Sequence, residues 1–581
     1  MWNRLGGVGV LVAVTIGISG CTPKPPAIDT AAGDAAFRVV VDDVLNDLFR
    51  RHPSTATDLG VHTFDSAIED YSAAAVAAEI ASTKAFRERL RAIAPEALSA
   101  PRQLDREQLL HAMDASLLQD DVIKPWARDP DVYSSGLTRT AYVMIKRRFA
   151  PTEERLAQLV ARLDAMPAVL LEARRNLQQP PRVYTQIAID QLDGNRAFFR
   201  TAVLEAFPDV KDAALHRTLA ASVDRVVAAL GDYKTWLQKD LLPRSTGSFA
   251  YGEATYRARL EAEEMITLPL DRILTMAEAD LRKNQAAFAD TARKIDPSKT
   301  PSALLDMITR DHPPASRLLS TTQQELDAIA RFLSEHGIVT IPEAVSATVA
   351  ETPPFMRATT TASMDIPGPY EKLATEAYYN MTLPDPSWPK ATQDEFMSQW
   401  YYPAITNVSV HEVWPGHYLQ FLYLKSQTSD VRKVFGTASN SEGWAHYVEQ
   451  MMIDEGFHAD DPRYRLAQLQ DALLRDVRCI VGIRMHTQGM SVEEAAKMFE
   501  REAYQPAPVA ESEAKRGTSD ATYGYYTLGK LMILKLRDDY RAKMGSAYTL
   551  RGFHDAFIAN GPIALPLVRK AMLGADAGEP F

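Results

Sequence analysis

The sequence predicts a mainly α-helical protein with a small β element, and two observations support this. Apolar residues recur at helical spacing over most of the chain from about residue 35. This pattern is interrupted between about residues 337 and 389, where two short runs of strand-forming residues lie near prolines. The 581 residues, of which 46% are hydrophobic and 24% charged, are enough to bury a large core.

The first 34 residues are predicted to lie outside the folded domain, which would comprise residues 35–581. Residues 1–20 have the features of a signal peptide, because Arg4 precedes a mostly apolar run that is too short to span a bilayer comfortably. Ser19 and Gly20 before Cys21 resemble a bacterial lipobox, and this implies cleavage before Cys21 and lipid attachment to it. The alternative is an ordinary signal peptide followed by a coincidental cysteine. Residues 21–34 are predicted to form a flexible tether.

A lipid on Cys21 would place the protein in the bacterial cell envelope. The residue after Cys21 is Thr22 rather than aspartate, so retention in an inner membrane is not signalled. In a host with two membranes we therefore expect a lipid anchor in the outer membrane, with the domain facing the periplasm or the cell surface.

Helices are predicted on both sides of the β element. An apolar stripe begins at Phe37, and Pro151 with the acidic residues that follow it begins another helix, which Pro167 is expected to stop. Thr322-x-x-Glu325 and Ser491-x-x-Glu494 have the pattern of capping boxes.

Two further helices are predicted near the C-terminus, at Leu466–Met485 and Lys530–Tyr540. The polar stretch Glu511–Tyr526 between them contains two glycines and is expected to be a loop or a broken turn. Loops of this kind carry functional residues when a rigid scaffold positions them.

The charge and cysteine content exclude some classes of function. The net charge of −11 argues against a nucleic-acid partner, which would require a basic face. If Cys21 carries lipid, Cys479 has no partner for an intrachain disulfide, and its apolar surroundings in sequence predict a buried small hydrophobic residue.

The segment His411-Glu412-Val413-Trp414-Pro415-Gly416-His417 combines two imidazoles with a carboxylate, the groups that a catalytic zinc site requires. In the H-E-x-x-H helix the two histidines lie four residues apart on one face. Here they lie six apart, so on a regular helix the second ring would point roughly 120° away from the first. Pro415 cannot donate to the carbonyl of His411, and Gly416 tolerates positive φ. We therefore predict a widened or broken turn that returns His417 toward His411.

A third ligand is predicted in the following segment, Ser441–Glu449. A hydrolytic zinc ion needs a third protein ligand and an open position, and Glu442 on a helix is the candidate. His446 and Glu449 lie on the same helical face and could orient the ligands. His446 could also be a ligand itself. Glu412 directly follows a ligand, as the general base does in H-E-x-x-H hydrolases.

At these residues the sequence resembles a known family. H-E-x-x-P-G-H followed by E-G-W-A-x-Y-x-E is similar to the bacterial domain-of-unknown-function 885 family, whose members resemble zinc metallopeptidases of the gluzincin type. The resemblance covers most of the mature chain. His446 and Ala521 depart from the family pattern, in which an apolar residue and a proline are common at those positions. Further matching segments are Gly368-Pro369-Tyr370, Tyr378-Tyr379-Asn380, Arg516-Gly517-Thr518-Ser519-Asp520, Tyr526-Thr527-Leu528-Gly529-Lys530-Leu531, Leu536-Arg537 and Phe553-His554-Asp555.

Several residues outside the motif are candidates for contacts with a substrate. Tyr526, Tyr523 or His486 would stabilise an oxyanion, and Arg516 or Arg537 would pair with a peptide carboxylate. By analogy with zinc peptidases, the strand that contains Tyr379 would hold a substrate backbone by β-addition, although a plain loop is the alternative for that segment. The last candidate for substrate binding is His554, and each of these residues could instead be structural.

These observations predict a hydrolase of short peptides that uses water activated by one Zn²⁺ ion per chain, held by His411, His417 and Glu442. One alternative is a non-catalytic helical envelope lipoprotein that binds peptides or partners and carries a decayed site. Another is a metal hydrolase of non-peptide amides or esters, since the chemistry is shared. The presence of Glu412 favours an enzyme, because a binding scaffold has no need of a base at that position.

Overall fold

The structure is a computed structural model that describes residues 30–342, 347–352, 357 and 360–581. The predicted signal peptide, Cys21 and residues 22–29 of the predicted tether lie outside the described residues. The first helix already begins at Ala31, within the segment that the sequence assigned to the tether.

Thirteen helices precede the sheet among the described residues. They are α1 (Ala31–Arg51), α2 (Pro53–Asp58), α3 (Ala73–Arg91), α4 (Ala100–Leu117), α5 (Pro125–Arg128), α6 (Asp131–Ile145), α7 (Thr152–Asn176), α8 (Arg182–Phe198), α9 (Ala213–Trp236), α10 (Glu253–Glu264), α11 (Leu270–Ile295), α12 (Pro301–Ile308) and α13 (Leu318–Glu335).

Further helices follow the sheet. They are α14 (Lys390–Met397), α15 (Tyr402–Glu412), α16 (His417–Lys425), α17 (Asp430–Val434), α18 (Ala438–Asp454), α19 (Pro462–Thr487), α20 (Val492–Ala503), α21 (Ala507–Ser519), α22 (Tyr525–Met544), α23 (Leu550–Ile558) and α24 (Leu565–Leu573).

The small β element is a three-stranded sheet inside the predicted interval, made of β1 (Thr348–Glu351), β2 (Ala362–Asp365) and β3 (Tyr378–Met381). The central strand β3 pairs with β1 in parallel and with β2 in antiparallel orientation. The two runs of strand-forming residues are 345–349 and 376–380, and strands β1 and β3 lie at them. Residues 345 and 346 of the first run lie outside the described residues. Strand β2 was not predicted.

The buried apolar residues form three clusters. One lies among α1–α4, a second among α6–α9, and the largest joins α10–α13, the sheet and the helices of the C-terminal half. The helices that carry the predicted metal ligands, α15, α16 and α18, all belong to the largest cluster. The candidate site is therefore built on one continuous core.

Three sequence-based expectations about helix ends were wrong. Pro167 lies inside α7, which continues to Asn176 because Val169, Leu170 and Ala173 still pack into the core after the proline. Thr322 lies inside α13, where its hydroxyl donates to the Leu318 carbonyl, 2.9 Å away, instead of capping the helix. Most of the stretch Glu511–Tyr526 is helical, and a turn occupies residues 521–524. By contrast, the capping box at Ser491 and Glu494 is confirmed.

Candidate metal centre

The two histidines of the motif lie on either side of a helix break. Helix α15 ends at Glu412 and α16 begins at His417, so the prediction that this segment is not regular helix is confirmed. A Cβ atom on Gly416 would lie 1.8 Å from the carbonyl oxygen of His411, so the chain can turn this closely only at a glycine. Trp444 Nε1 on α18 donates to the Pro415 carbonyl at 2.8 Å and fixes the turn to the next helix.

The turn brings both imidazoles to one carboxylate. Nε2 of His411 and Nε2 of His417 each lie 3.4 Å from Oε2 of Glu442, which α18 supplies. The two rings are nearly perpendicular, with their centroids 4.8 Å apart. Among the described residues, these three form a group whose possible ligand atoms all lie within 4.8 Å of one another.

The arrangement fits a metal ion better than it fits hydrogen bonding. Glu442 Oε2 is buried and has no hydrogen-bond partner within the described part of the chain. Leaving a buried carboxylate oxygen without a donor costs on the order of 1–3 kcal/mol. Two ligands about 2.0–2.1 Å from a shared tetrahedral ion would lie about 3.3 Å apart, and the observed spacing of 3.4 Å matches this.

Glu449 orients the first histidine. Its Oε1 lies 2.6 Å from His411 Nδ1, so His411 presents its other nitrogen, Nε2, to Glu442. Burial lowers the pKa of His411, but the neighbouring carboxylates of Glu442 and Glu449 outweigh burial and raise that pKa to about 10. Both carboxylates are therefore arranged to favour a positive charge at the position of the imidazole.

His446 is linked to His411 through Glu449, which contacts both rings. Its Nδ1 is 3.3 Å from Glu449 Oε2, and it is not part of the ligand group. Burial, together with the charges of Lys530 and Arg475, lowers the pKa of His446 to about 3. Between the two third ligands that the sequence left open, the geometry favours Glu442.

Arg475 on α19 is a site residue that sequence reasoning missed. Its guanidinium donates to Glu449 Oε2 at 2.6 Å and lies 3.3 Å from His411 Nδ1. It therefore supplies the counter-charge that a buried Glu449 carboxylate requires. The available signal was that Arg475 is a charged residue inside a long, apolar-periodic helix, because buried charges are tolerated only in pairs.

A second buried ionic group connects α19 to two neighbouring helices, α11 and α22. Lys530 Nζ on α22 donates to Asp280 Oδ2 at 2.7 Å. Asp476, on α19, accepts from Asn284 at 2.6 Å and from Thr527 at 3.0 Å. These contacts tie α11, α19 and α22 together.

Helices α18 and α22 pack backbone against backbone at two glycines. A Cβ atom on Gly443 would lie 2.5 Å from the Cα atom of Gly529, and one on Gly529 would lie 2.0 Å from the Ser439 carbonyl oxygen. Glu442 and Tyr526 are thereby mounted on two helices that touch without intervening side chains.

Among the other predicted residues, Tyr526 and Arg516 lie beside the candidate site. The Tyr526 ring lies 6.5 Å from the His411 ring, with the planes 29° apart, and the guanidinium of Arg475 lies 5.5 Å from its centroid. Arg516 pairs with Asp520 at 2.9 Å and lies 3.4 Å from the Tyr525 hydroxyl. Tyr526 is therefore placed where a substrate near His411 could reach it, and Arg516 interacts with Tyr526.

Five other candidate residues are engaged in packing away from the three converging residues. Tyr523 is fully buried, His486 Nε2 donates to the Gly517 carbonyl, and Tyr379 is fully buried on β3. His554 lies between the Ile338 carbonyl and the Tyr447 hydroxyl, 2.8 Å from each, and Arg537 packs on Tyr447. Their contacts within the described residues are structural, and their roles in substrate binding stay predictions.

Glu412 ends α15 directly beside His411 and is half-buried. Its carboxylate lies near Tyr379 of β3. Burial raises the pKa of Tyr379, the Ser409 hydroxyl lowers it, and the negative charge of the nearby Glu412 raises it further. The carboxylate is thus next to the converging histidines and retains access to solvent.

Comparisons with known proteins show the family and the fold of this chain. The model of the family described as bacterial protein of unknown function (DUF885) matches residues 53–572. A solved structure from Shewanella oneidensis is similar over 92% of this chain and 99% of its own, with 25% identity and a TM-score of 0.78. One from Colwellia psychrerythraea is similar over 93% of this chain and 98% of its own, with 18% identity and a TM-score of 0.79.

Both solved proteins are described by the words "putative lipoprotein", and the function of the first is unknown. No curated protein matches the chain. Within the described residues, the structure contains no helix that is long and apolar enough to cross a membrane.

Proposed function

The chain belongs to the DUF885 family of bacterial proteins, and for this member we propose the zinc-dependent hydrolysis of short peptides. One observation carries the proposal: the buried Glu442 Oε2, which has no hydrogen-bond donor among the residues that the structure describes, lies 3.4 Å from the Nε2 atoms of both His411 and His417. Two neutral nitrogens and one carboxylate are a ligand set of hydrolytic zinc sites that leave one position open.

His411, His417 and Glu442 would hold the ion, and Glu449 with Arg475 would keep His411 in the correct orientation. A bound zinc ion would supply a Lewis acid and lower the pKa of a water molecule at the open position to about 7. Glu412 would accept the proton that the attacking water loses and donate it to the nitrogen of the leaving amine. The proton is thereby returned, and the peptide bond is replaced by a carboxylate and an amine.

Tyr526 is the best-placed candidate to donate a hydrogen bond to the oxyanion, because its ring lies along the His411 imidazole. Arg516 supports peptides as the substrate class. Its side chain is 38% exposed, and it could exchange its pairing with Asp520 for pairing with a terminal carboxylate.

The decisive experiment compares wild-type protein with Glu412→Gln. The substitution keeps the shape of the side chain and removes the proton acceptor, so kcat on a panel of short peptides should fall by at least ~10²–10⁴-fold. Elemental analysis should find one zinc per chain in both proteins, because Glu412 is not a ligand. Glu455→Gln, at an exposed position just after α18, is the matched control and should keep full activity.

Two results would contradict the proposal. One is a folded, zinc-loaded Glu412→Gln protein that is as active as the wild type. The other is wild-type protein that contains only trace metal after zinc has been supplied. Activity on esters or other amides, without activity on any peptide, would show that the same residues hydrolyse a different class of substrate.

We also propose that Cys21 carries lipid and that the domain is held at the bacterial envelope. The Ser19-Gly20-Cys21 sequence and the description of both structural relatives support this. Mass spectrometry of the mature N-terminus from native membranes should show an acylated Cys21. A free amino terminus at Thr22 or later would contradict it.

A further inference from the structure

Three guanidinium groups lie close to Tyr526, the candidate donor to an oxyanion. Those of Arg475 and Arg478 lie 5.5 and 5.2 Å from the centroid of its ring. Arg516 interacts with the Tyr526 hydroxyl. Because the Tyr526 ring lies 6.5 Å from the His411 ring, the three cations lie on one side of the candidate metal centre. An anionic group of a substrate would meet positive charge there.

Two of these cations are already neutralised by carboxylates. Arg475 pairs with Glu449 at 2.6 Å, and its side chain is 11% exposed. Arg478 donates through Nε and Nη2 to the two oxygens of Glu513, at 2.7 and 2.8 Å, and its side chain is 10% exposed. Both guanidinium groups are buried in complete ion pairs, so neither is available to a substrate.

Arg516 is held differently and remains accessible. Its Nε and Nη2 both donate to a single oxygen, Oδ2 of Asp520, at 3.1 and 2.9 Å, and Nη2 also lies 3.4 Å from the Tyr525 hydroxyl. Its Nη1 forms no hydrogen bond to a carboxylate within the described part of the chain, and the side chain is 38% exposed. Asp520 therefore fixes the guanidinium group and leaves Nη1 for a ligand.

The contact between Tyr526 and Arg516 limits how much peptide can lie beyond the bond that is cleaved. A phenol that donates to the oxyanion lies roughly 2.7 Å from it, and a guanidinium nitrogen in contact with that phenol lies roughly 3 Å further on. Successive carbonyl carbons of an extended peptide lie roughly 3–4 Å apart. A carboxylate one residue beyond the scissile bond matches this spacing, whereas a longer extended segment would pass Arg516.

We propose that the candidate metal centre removes single amino acids from the carboxyl terminus of peptides, and that Arg516 binds the terminal carboxylate. This inference rests on the proposed hydrolysis and specifies which bond is cleaved. The oxygen of water would bond to the carbonyl carbon, and the C–N bond to the last residue would break. Glu412 would pass the proton that water loses to the amine of the released amino acid. Cleavage of an internal bond would place no anion at Arg516.

Hydrolysis of N-acetyl-alanyl-alanyl-leucine and of its carboxyl-terminal amide by the zinc-supplied, full-length protein tests the proposal. Mass spectrometry should identify leucine as the first product from the free acid. Amidation should lower kcat/KM at least about tenfold, because it removes a hydrogen bond between charged groups. Equal kcat/KM values for the two peptides, or first cleavage at the alanyl-alanyl bond, would overturn this inference and leave the proposed hydrolysis standing. Absence of hydrolysis of every peptide would contradict both.

The variant Arg516→Lys separates recognition of the carboxylate from a structural role. Lysine keeps the charge and lacks the planar fork, so KM for the free acid should rise at least about tenfold, while the amide should be hydrolysed as by the wild type. Arg541, an exposed residue of α22 that lies 4.8 Å from the Tyr548 ring, provides the control Arg541→Lys, which should match the wild type on both peptides. An equal loss on both peptides in Arg516→Lys would show that Arg516 only supports Tyr526, and would overturn its role in specificity.

Discussion

Two histidines lie between two carboxylates within the described part of the chain, yet only one of these two has the surroundings of a metal ligand. His62 has Asp65 Oδ2 at 3.0 Å and Glu371 Oε2 at 3.1 Å. His411 has Glu449 Oε1 at 2.6 Å and Glu442 Oε2 at 3.4 Å. The local chemistry of the two groups is therefore the same at first sight.

The group around His62 is closed. The second oxygen of Asp65 accepts from the Thr57 hydroxyl at 2.5 Å, and the second oxygen of Glu371 accepts from the backbone N–H groups of residues 372–374. The His62 ring stacks on Phe149 with the centroids 4.0 Å apart. Every carboxylate oxygen has a partner, so the group needs no ion.

The group around His411 is open. Glu442 Oε2 has a second imidazole, that of His417, at the same distance of 3.4 Å and accepts no hydrogen bond from a described residue. The comparison teaches that histidines and carboxylates in proximity do not distinguish a metal site from a structural ion pair. The distinguishing feature is a buried donor atom that the protein leaves unsatisfied.

The largest difference between the groups around His411 and His62 should appear when each imidazole is removed. His411→Ala should reduce zinc from one ion per chain to trace amounts and abolish peptide hydrolysis, because it deletes one of three ligands. His62→Ala should lower the melting temperature and leave the zinc content unchanged. Elemental analysis of the two variants measures this, and loss of zinc from His62→Ala would end the distinction between the groups.

Removal of the ion should destabilise only the region around His411. A ligand at 100 to 1,000 times its Kd stabilises the folded state by about 2.7–4.1 kcal/mol, and a chelator should remove that stabilisation. Hydrogen exchange should then increase in α15, α16 and α18 and remain unchanged around His62. Uniform protection before and after chelation would argue that no ion links these helices.

The carboxylates that orient the two rings provide a finer contrast. Glu449→Gln should weaken zinc binding by roughly 10–100-fold, since partners of metal-bound histidines usually contribute that much. Glu371→Gln is the matched change beside His62 and should leave zinc affinity at the wild-type value. Competition with a fluorescent chelator measures both, and equal affinities for Glu449→Gln and wild type would show that Glu449 does not support the site.

The smallest effect should be a pH dependence of stability at His62. Burial lowers the pKa of His62, but hydrogen bonds and charges from Asp65 and Glu371 outweigh burial and raise it. A raised folded-state pKa stabilises the protein below the unfolded value of about 6.5, and this contribution is lost as the pH rises through the folded value. The difference in free energy of unfolding between wild type and His62→Gln should therefore shrink as the pH rises above about 6.5, by on the order of 1 kcal/mol or less. A difference that grows with pH would have the wrong sign.

Long apolar stripes predicted the helical class, and their interruption predicted the interval of the sheet. The six-residue spacing of His411 and His417, with Pro415 and Gly416 between them, predicted the break in the helix. The end of α7 could not be, because the burial of Val169 and Leu170 after Pro167 depends on helices distant in sequence. Strand β2 lacked a signal, since Ala362-Ser363-Met364-Asp365 contains no β-branched or aromatic residue.

The three converging residues could be predicted, because residue types that ligate zinc occur close together in a short sequence motif. The role of Arg475 could not be predicted, because it depends on which atoms have partners, and partners are set by the tertiary fold. The core contacts of His486, Tyr523 and His554 could not be predicted for the same reason, and their roles in substrate binding stay predictions.

The contact between Gly443 and Gly529 has a mechanical consequence. The helices that carry Glu442 and Tyr526 are locked together with no side chain between them that could change rotamer, and the helices carrying both histidines share their core. If the α6–α9 cluster shifts or hinges against the rest of the molecule, the converging residues will move as one rigid body and keep their spacing. Such a motion would instead change the cavity of about 550 Å³ between α6, α7 and the sheet, whose walls come from both sides of that boundary.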